Sequence, residues 1–324
     1  PDVLAGLAAM DRERDNLAAA LDRAVRAGDA ADAVALAASM SVWQEARGEF
    51  AEGLRGLERA LALDLAAADP GEVSLAGRMA ALFAYFVGRV DRCADFVELI
   101  AREAEAAGHR AGLGVAETWR GDIAWLRGDP EEAQARFRRA VELLEPGGDT
   151  AELAQACTRL GDFLVEHGDP GGALPWLRRA VATRRALGNE IYLATPLHHE
   201  AAALAELGRA DEARAGFLAT ARAAGDLAPL PAAYALYRLA AIDAAAPGAE
   251  TKRRERAALL LGAADAVLAR HRVVIDPTMA PRRDGALADL AAALGETGRD
   301  RLLAEGRALT GAEALALAGA GREA

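Results

Sequence analysis

Glycine recurs in this chain at a fixed interval of 40 residues, at Gly48, Gly88, Gly128, Gly168 and Gly208. An interval kept that strictly restricts the fold to a stack of like units. The columns around the glycine agree with it. Five residues on stand the small residues Gly53, Cys93, Ala133, Ala173 and Ala213, and nine on stand the large ones Leu57, Val97, Phe137, Leu177 and Phe217. Twelve on stand Ala60, Ile100, Ala140, Ala180 and Thr220, and seven before are Ser41, Ala81, Gly121, Gly161 and Ala201. Gly248 extends the series into a Pro-Gly loop.

Each copy reads as helix–turn–helix. The marked glycine is the turn, because a positive φ is cheap only for glycine. In GDP at 128–130 and 168–170, the Asp suits an N-cap and the Pro the first helical position. Further boundaries, AAGH at 106–109, EPGGD at 145–149, ALGN at 186–189 and AAGD at 223–226, separate one pair from the next. A lone helix pair cannot bury its apolar face, whereas stacked pairs can. The fold expected is all-α, a right-handed superhelix of antiparallel helix pairs. It is read as one solenoid over 1–324: a cap helix within 1–30, regular repeats over 31–226, and a divergent repeat with a closing cap over 227–324. The loop VVIDPTMAPRRDG, with Asp276-Pro277 and Ala280-Pro281, breaks the helical pattern. The closing helices are expected near 284–294, 298–307 and 310–319.

Composition narrows the function. The net charge of −11 argues against direct nucleic-acid binding, which needs a basic surface. No run of about 18 uncharged apolar residues is present, so no membrane span is expected. Two cysteines, Cys93 and Cys157, read as reduced packing residues of a cytoplasmic protein. There is no GxSxG, no nucleophile–base pair at a usable spacing and no phosphate-cradling glycine loop. The chain reads as non-catalytic, with no cofactor and no metal site.

The pattern of a small residue, a turn glycine, Ala, a large apolar residue and Ala again is similar to the tetratricopeptide repeat, with a period of 40 in place of the usual ~34. Long repeats of this kind resemble the C-terminal solenoids of actinobacterial STAND-class ATPase regulators, including the SARP and LuxR types. RERDNLAAALDRAVRAGD (12–29) resembles the opening segment of those solenoids. AALLLGAADAVLARH (257–271) and LLAEGRALTGAEALALA (302–318) resemble the closing one. The resemblance implies a sensor or partner-binding arm in transcription regulation and signal transduction. A freestanding scaffold for protein–protein interaction and a peptide-sensing receptor are the alternatives. The family's GxxxxGK[ST] loop is absent: the one lysine, Lys252, lies in ETKRRER, and the chain opens at Pro1 without Met, as a piece of a longer protein would.

In tetratricopeptide stacks the first helix of each pair lines the groove. Offsets −13, −10, −6 and −3 from the turn glycine share one helical stripe. They nominate Arg78, Tyr85, Thr118, Asp122, Trp125, Gln155, Thr158, Asp162 and His198, with Glu166 adjacent. Asp122 and Asp162 would repel an anionic tail, so a protein or peptide partner with a cationic or apolar segment is favoured, with a small-molecule effector as a further possibility. Peptide-pheromone sensors of this kind read the backbone with Asn amides, and the two asparagines here, Asn16 and Asn189, fall off the stripe. RGD at 120–122 reads as helix interior. His198-His199 lacks the i,i+4 spacing of a chelate, since neighbouring helical positions diverge by about 100°. KRRER at 252–256 reads as a solvated helix face able to dock an acidic partner. Trp125 is ambiguous between groove and core, and Trp119 reads as core.

Overall fold

The computed structural model describes residues 3–188, 192–225, 228–245, 250–271 and 279–320. Asn189, Gly248 and Asp276-Pro277 lie outside the described residues. The described residues form 17 α-helices and no strand, so the fold is all-α. The chain forms two compact units, Pro1–Arg159 and Leu160–Ala324.

In the first unit α1 (Val3–Arg12) and α2 (Arg14–Ala27) precede the pairs α3 (Ala30–Arg47) with α4 (Phe50–Leu61), α5 (Pro70–Phe86) with α6 (Val90–Ala107), and α7 (Arg110–Leu126) with α8 (Pro130–Leu144). Helix α9 (Ala151–Glu166) carries the chain from the first unit into the second. There it is followed by α10 (Pro170–Ala186), the pair α11 (Ala194–Glu206) and α12 (Ala210–Ala224), and the pair α13 (Pro229–Ala244) and α14 (Thr251–His271). Helices α15 (Ala280–Leu294), α16 (Glu296–Arg307) and α17 (Gly311–Gly319) end the described chain.

The five ruler glycines all take the left-handed conformation, with φ between 70° and 80°. At Gly128 the glycine N–H donates to Trp125 O and the Asp129 N–H to Ala124 O, both at 3.0 Å. Those bonds satisfy carbonyls that a helix end otherwise leaves open. Asp129 and Asp169 then accept from the N–H groups of Glu132 and Gly172, and Pro130 and Pro170 open α8 and α10. The boundaries between pairs carry a second ruler of the same period, Gly108, Gly148 and Gly188, with φ of 62°, 80° and 64°.

The small residue at −7 receives the large one at +9. A Cβ on Gly121 would stand 2.5 Å from the Phe137 ring, and one on Gly161 would stand 2.5 Å from Leu177 Cγ. Phe137 and Leu177 are both fully buried, each burial worth about 1.5–3 kcal/mol. First helices of consecutive pairs also pack on each other, α3 on α5 and α5 on α7 in the first unit, and α11 on α13 in the second.

The N-terminal end differs in detail from expectation, while the three closing helices lie close to the expected positions. The single N-terminal cap helix is two, α1 and α2, with Glu13 between them. Asp11 holds α1 to α3 by accepting from Trp43 Nε1 at 2.9 Å and pairing with Arg47. At the other end Asp265 gathers Tyr237 Oη at 2.8 Å, Arg283 Nε and Nη2 at 3.0 Å, and Arg307 Nη2 at 3.4 Å. Burial by itself would raise the Asp265 carboxyl, but the hydrogen bonds from Arg283 and Tyr237 outweigh it and hold the group below its ordinary 3.8. A depressed folded pKa stabilises above the unfolded value and is lost as pH falls through the folded one. Acid titration should therefore weaken the α13–α16 region below about pH 4. Asp265→Asn should cost about 1.5–3 kcal/mol at pH 7 and flatten that acid limb. Urea melts of both proteins at pH 7 and pH 3 check this, and an unchanged acid limb would remove Asp265 as its source.

Candidate functional site

The first helices turn part of their surface outward, and the sequence places side chains there that packing does not need. In the first unit the C-terminal ends of α5 and α7 expose Tyr85 at 46%, Phe86 at 54% and Leu126 at 63%. Phe86 stacks on Phe50 at 4.5 Å, and Tyr85 meets Phe86 edge-on at 5.8 Å. Arg78, one helical stretch earlier on α5, is half-buried. Asp122 accepts from Arg159 of α9, Nε at 2.7 Å and Nη2 at 2.6 Å. The same guanidinium lies 5.6 Å from the Trp125 ring centroid. Trp125 meets Phe137 edge-on at 6.4 Å, so it is half core and half face. Gln155 is exposed on α9.

In the second unit Asp162 of α9 faces His199 of α11, Nδ1 to Oδ1 at 2.9 Å, and Glu166 is exposed. Both first-helix aspartates are thus engaged by the next first helix, 37 residues on. The Arg159 guanidinium offsets, at Asp122, the electrostatic repulsion on which the preference for a cationic segment rests, and at Asp162 a ring nitrogen of His199 takes up the carboxylate. The cue was present in the sequence, as Arg159 and His199 at −9 of the copy after each aspartate at −6.

Three nominated residues do not line the face. Thr118 and Thr158 are buried, and each hydroxyl donates to the carbonyl four residues back, Gly114 at 2.9 Å and Ala154 at 2.7 Å. The −10 position turns toward the interior, where a threonine is tolerated because its hydroxyl finds the helix's own carbonyl. His198 is also buried, its ring 5.5 Å from Phe217 and 6.2 Å from Tyr234. The neighbouring His199 takes the outward place. RGD is helix interior, as expected: Arg120 pairs with Glu98 and Glu117, Gly121 receives Phe137, and Asp122 holds Arg159.

KRRER is a solvated run only in part. Arg253 and Arg256 turn inward to Asp243, at 3.1 and 2.9 Å. Cys93 and Cys157 are buried. Cys93 Sγ donates to Ala81 O at 3.2 Å, and burial pushes the thiol up, away from reactivity. Among the described residues no three His, Cys, Asp or Glu side chains converge as metal ligands, and no helix is long and apolar enough to cross a membrane.

Residues 114–186 match the tetratricopeptide repeat family model. No curated protein matches the chain. Among solved structures, BtubC (BKLC) from P. vanneervenii superposes with a TM-score of 0.51 at 20% identity, covering 66% of this chain and 91% of that one. A Rap protein complexed with Competence and Sporulation Factor superposes with a TM-score of 0.51 at 13% identity, covering 95% of this chain and 98% of that one. These likenesses, with the tetratricopeptide match at the centre of the chain, establish a tetratricopeptide-type fold of stacked helix pairs.

Proposed function

We propose that this chain is a non-catalytic arm that binds a protein or peptide partner on its first helices. The observation that carries the reading is the exposure of Tyr85, Phe86 and Leu126 at the ends of consecutive first helices. Large apolar side chains grouped on a surface mark interaction sites more often than chance. The Rap protein, of like fold, was solved with a factor bound, which supports the same use of this architecture here. An apolar segment suits Phe86 and Leu126. The finer reading is the regulatory arm of a cytoplasmic STAND-type transcriptional regulator. Such an arm works by linkage: a partner that prefers one arrangement of the parent shifts the balance between its off and on states.

The test begins with native mass spectrometry of the chain purified from its own host. A co-purifying protein or peptide is expected, and the double variant Phe86→Glu, Leu126→Glu should lose it at least tenfold, about 1.4 kcal/mol, with helicity intact. Equal capture by the variant would remove this face from the site. A phosphate-binding GxxxxGK[ST] loop in the parent gene upstream of Pro1 separates the regulator from a freestanding scaffold.

A further inference from the structure

The closing helix α17 roofs a cavity of about 210 Å³ in the second unit, with walls from α12, α13 and α14. Small residues make the walls. Ala221 and Gly225, at the end of α12, stand where the second helix one pair earlier has Val181 and Arg185. There Val181 packs with Leu193 and Leu197. Here Ala232 of α13 and Ala263 and Ala266 of α14 line the space, and Leu315 of α17 closes it from above. The roof is fixed at both ends. Thr310 and Glu313 form a capping box at its start, and Arg214 Nη2 donates to the Ala318 carbonyl at 3.0 Å near its finish. These anchors set the height of α17, so the small wall residues leave a void. A void forfeits the contacts that a close-packed interior makes.

Two polar side chains reach the lining, those of Thr310 and Arg270. Thr310 is committed to its cap: the hydroxyl donates to Glu313 Oε2 at 2.8 Å and accepts from the Glu313 N–H at 3.3 Å. Arg270, in the last turn of α14, is exposed at the mouth. Among the described residues that line the cavity it alone is charged, and its guanidinium makes no hydrogen bond or ion pair with any described residue. Arg214, Arg256 and Arg283 of the same unit are all held by carboxylates. An apolar cavity of about 150 Å³ takes benzene, so in proportion this one takes an apolar body of roughly eight carbon atoms. The cation at the mouth selects the head group, since it attracts an anion and repels an amine.

We propose that this cavity binds a small organic acid, its apolar body beneath α17 and its carboxylate at Arg270. The site is separate from the exposed face of the first helices and does not rest on partner binding there. A ligand in it touches the roof and the walls together, so it fastens α17 to α12 and α14.

Octanoate and 3-phenylpropanoate are the probes, a chain and a ring of suitable size, and octan-1-ol is the uncharged counterpart. At roughly 1 mM, at least one acid should raise the melting temperature of the whole chain by about 2 °C or more, and the alcohol by less. The same acid should slow amide exchange over 311–319 by about threefold or more, which places it under the roof. A shift with one acid alone assigns the shape of the body. Arg270→Gln, at an exposed position, should fold as the wild type does and reduce the acid's shift to that of the alcohol. Ala266→Leu fills the cavity and should respond to none of the three with helicity intact. The proposal is overturned if neither acid shifts the wild type, or if the alcohol shifts it as much. It is equally overturned if Arg270→Gln or Ala266→Leu responds as the wild type does, or if exchange over 311–319 is unchanged by the acid.

Discussion

Asp243→Ala should lower the unfolding free energy by about 3–5 kcal/mol, the cost of leaving buried charges without their partner. Asp243 is fully buried at 0% exposure and binds Arg214 Nη1 at 2.8 Å, Arg253 Nε at 3.1 Å and Arg256 Nε at 2.9 Å. Those arginines come from α12 and α14, so one carboxylate ties both helices to α13. Arg214 also donates through Nη2 to the Ala318 carbonyl at 3.0 Å, which fastens α17. Without the carboxylate, Arg214 and Arg256 are left mostly buried and facing each other's charge. Asp243→Asn keeps the volume and one acceptor oxygen, and should cost less than the alanine. Urea unfolding measures both, and amide exchange over 311–319 should show α17 opening first. A loss below about 1 kcal/mol for the alanine, the size of a surface pair, would mean that the three arginines find other partners.

Gly306→Ala should cost about 3 kcal/mol, the upper end of the usual range for overpacking. Helices α14 and α16 cross backbone against backbone. A Cβ on Gly306 would fall on the Leu259 carbonyl oxygen, and one on Gly262 on that of Leu303. Gly121, by contrast, meets the ring of Phe137, a side chain rather than backbone. A carbonyl held in a helix cannot swing aside, so α16 must lift. Gly298→Ala is the control on the same helix, because its Cβ would have Leu294 Cβ no nearer than 3.6 Å. That change should stabilise slightly, by about 0.5–1 kcal/mol, since alanine is the better helix former. Gly262→Ala and Gly306→Ala combined should cost less than their sum, because either one already opens the crossing. Thermal melts decide it, and equal tolerance of Gly298→Ala and Gly306→Ala would show that the crossing is not close.

The turns were legible because their chemistry is local. A glycine that needs positive φ, an Asp that caps, and a Pro at the first helical position each act within four residues, so they stand in the sequence as fixed offsets. The small residue at −7 and the large one at +9 were also visible as columns, and −7 as the place where the two helices meet, though which residue it receives was not. The outward face was legible only in part. The offset −10 was read as open, yet Thr118 and Thr158 are buried. In α7, α9 and α11 the outward position is −2, as the exposed Leu126, Glu166 and Glu206 show, while −9 is half-buried and Trp119 packs against the core as expected. One residue of rotation on a helix is about 100°, enough to exchange His198 for His199.

The sequence by itself determined the repeat, its period, the helix pairs and their turns, because each depends on residues close together in the chain. The tertiary structure decided which charges are answered. Asp122 and Asp162 looked like an open acidic pair until Arg159 and His199 arrived from the next first helix. KRRER looked like a solvated run until Asp243 drew two of its arginines inward. Burial and partnership are properties of neighbours brought together by folding, and a charge's meaning depends on both.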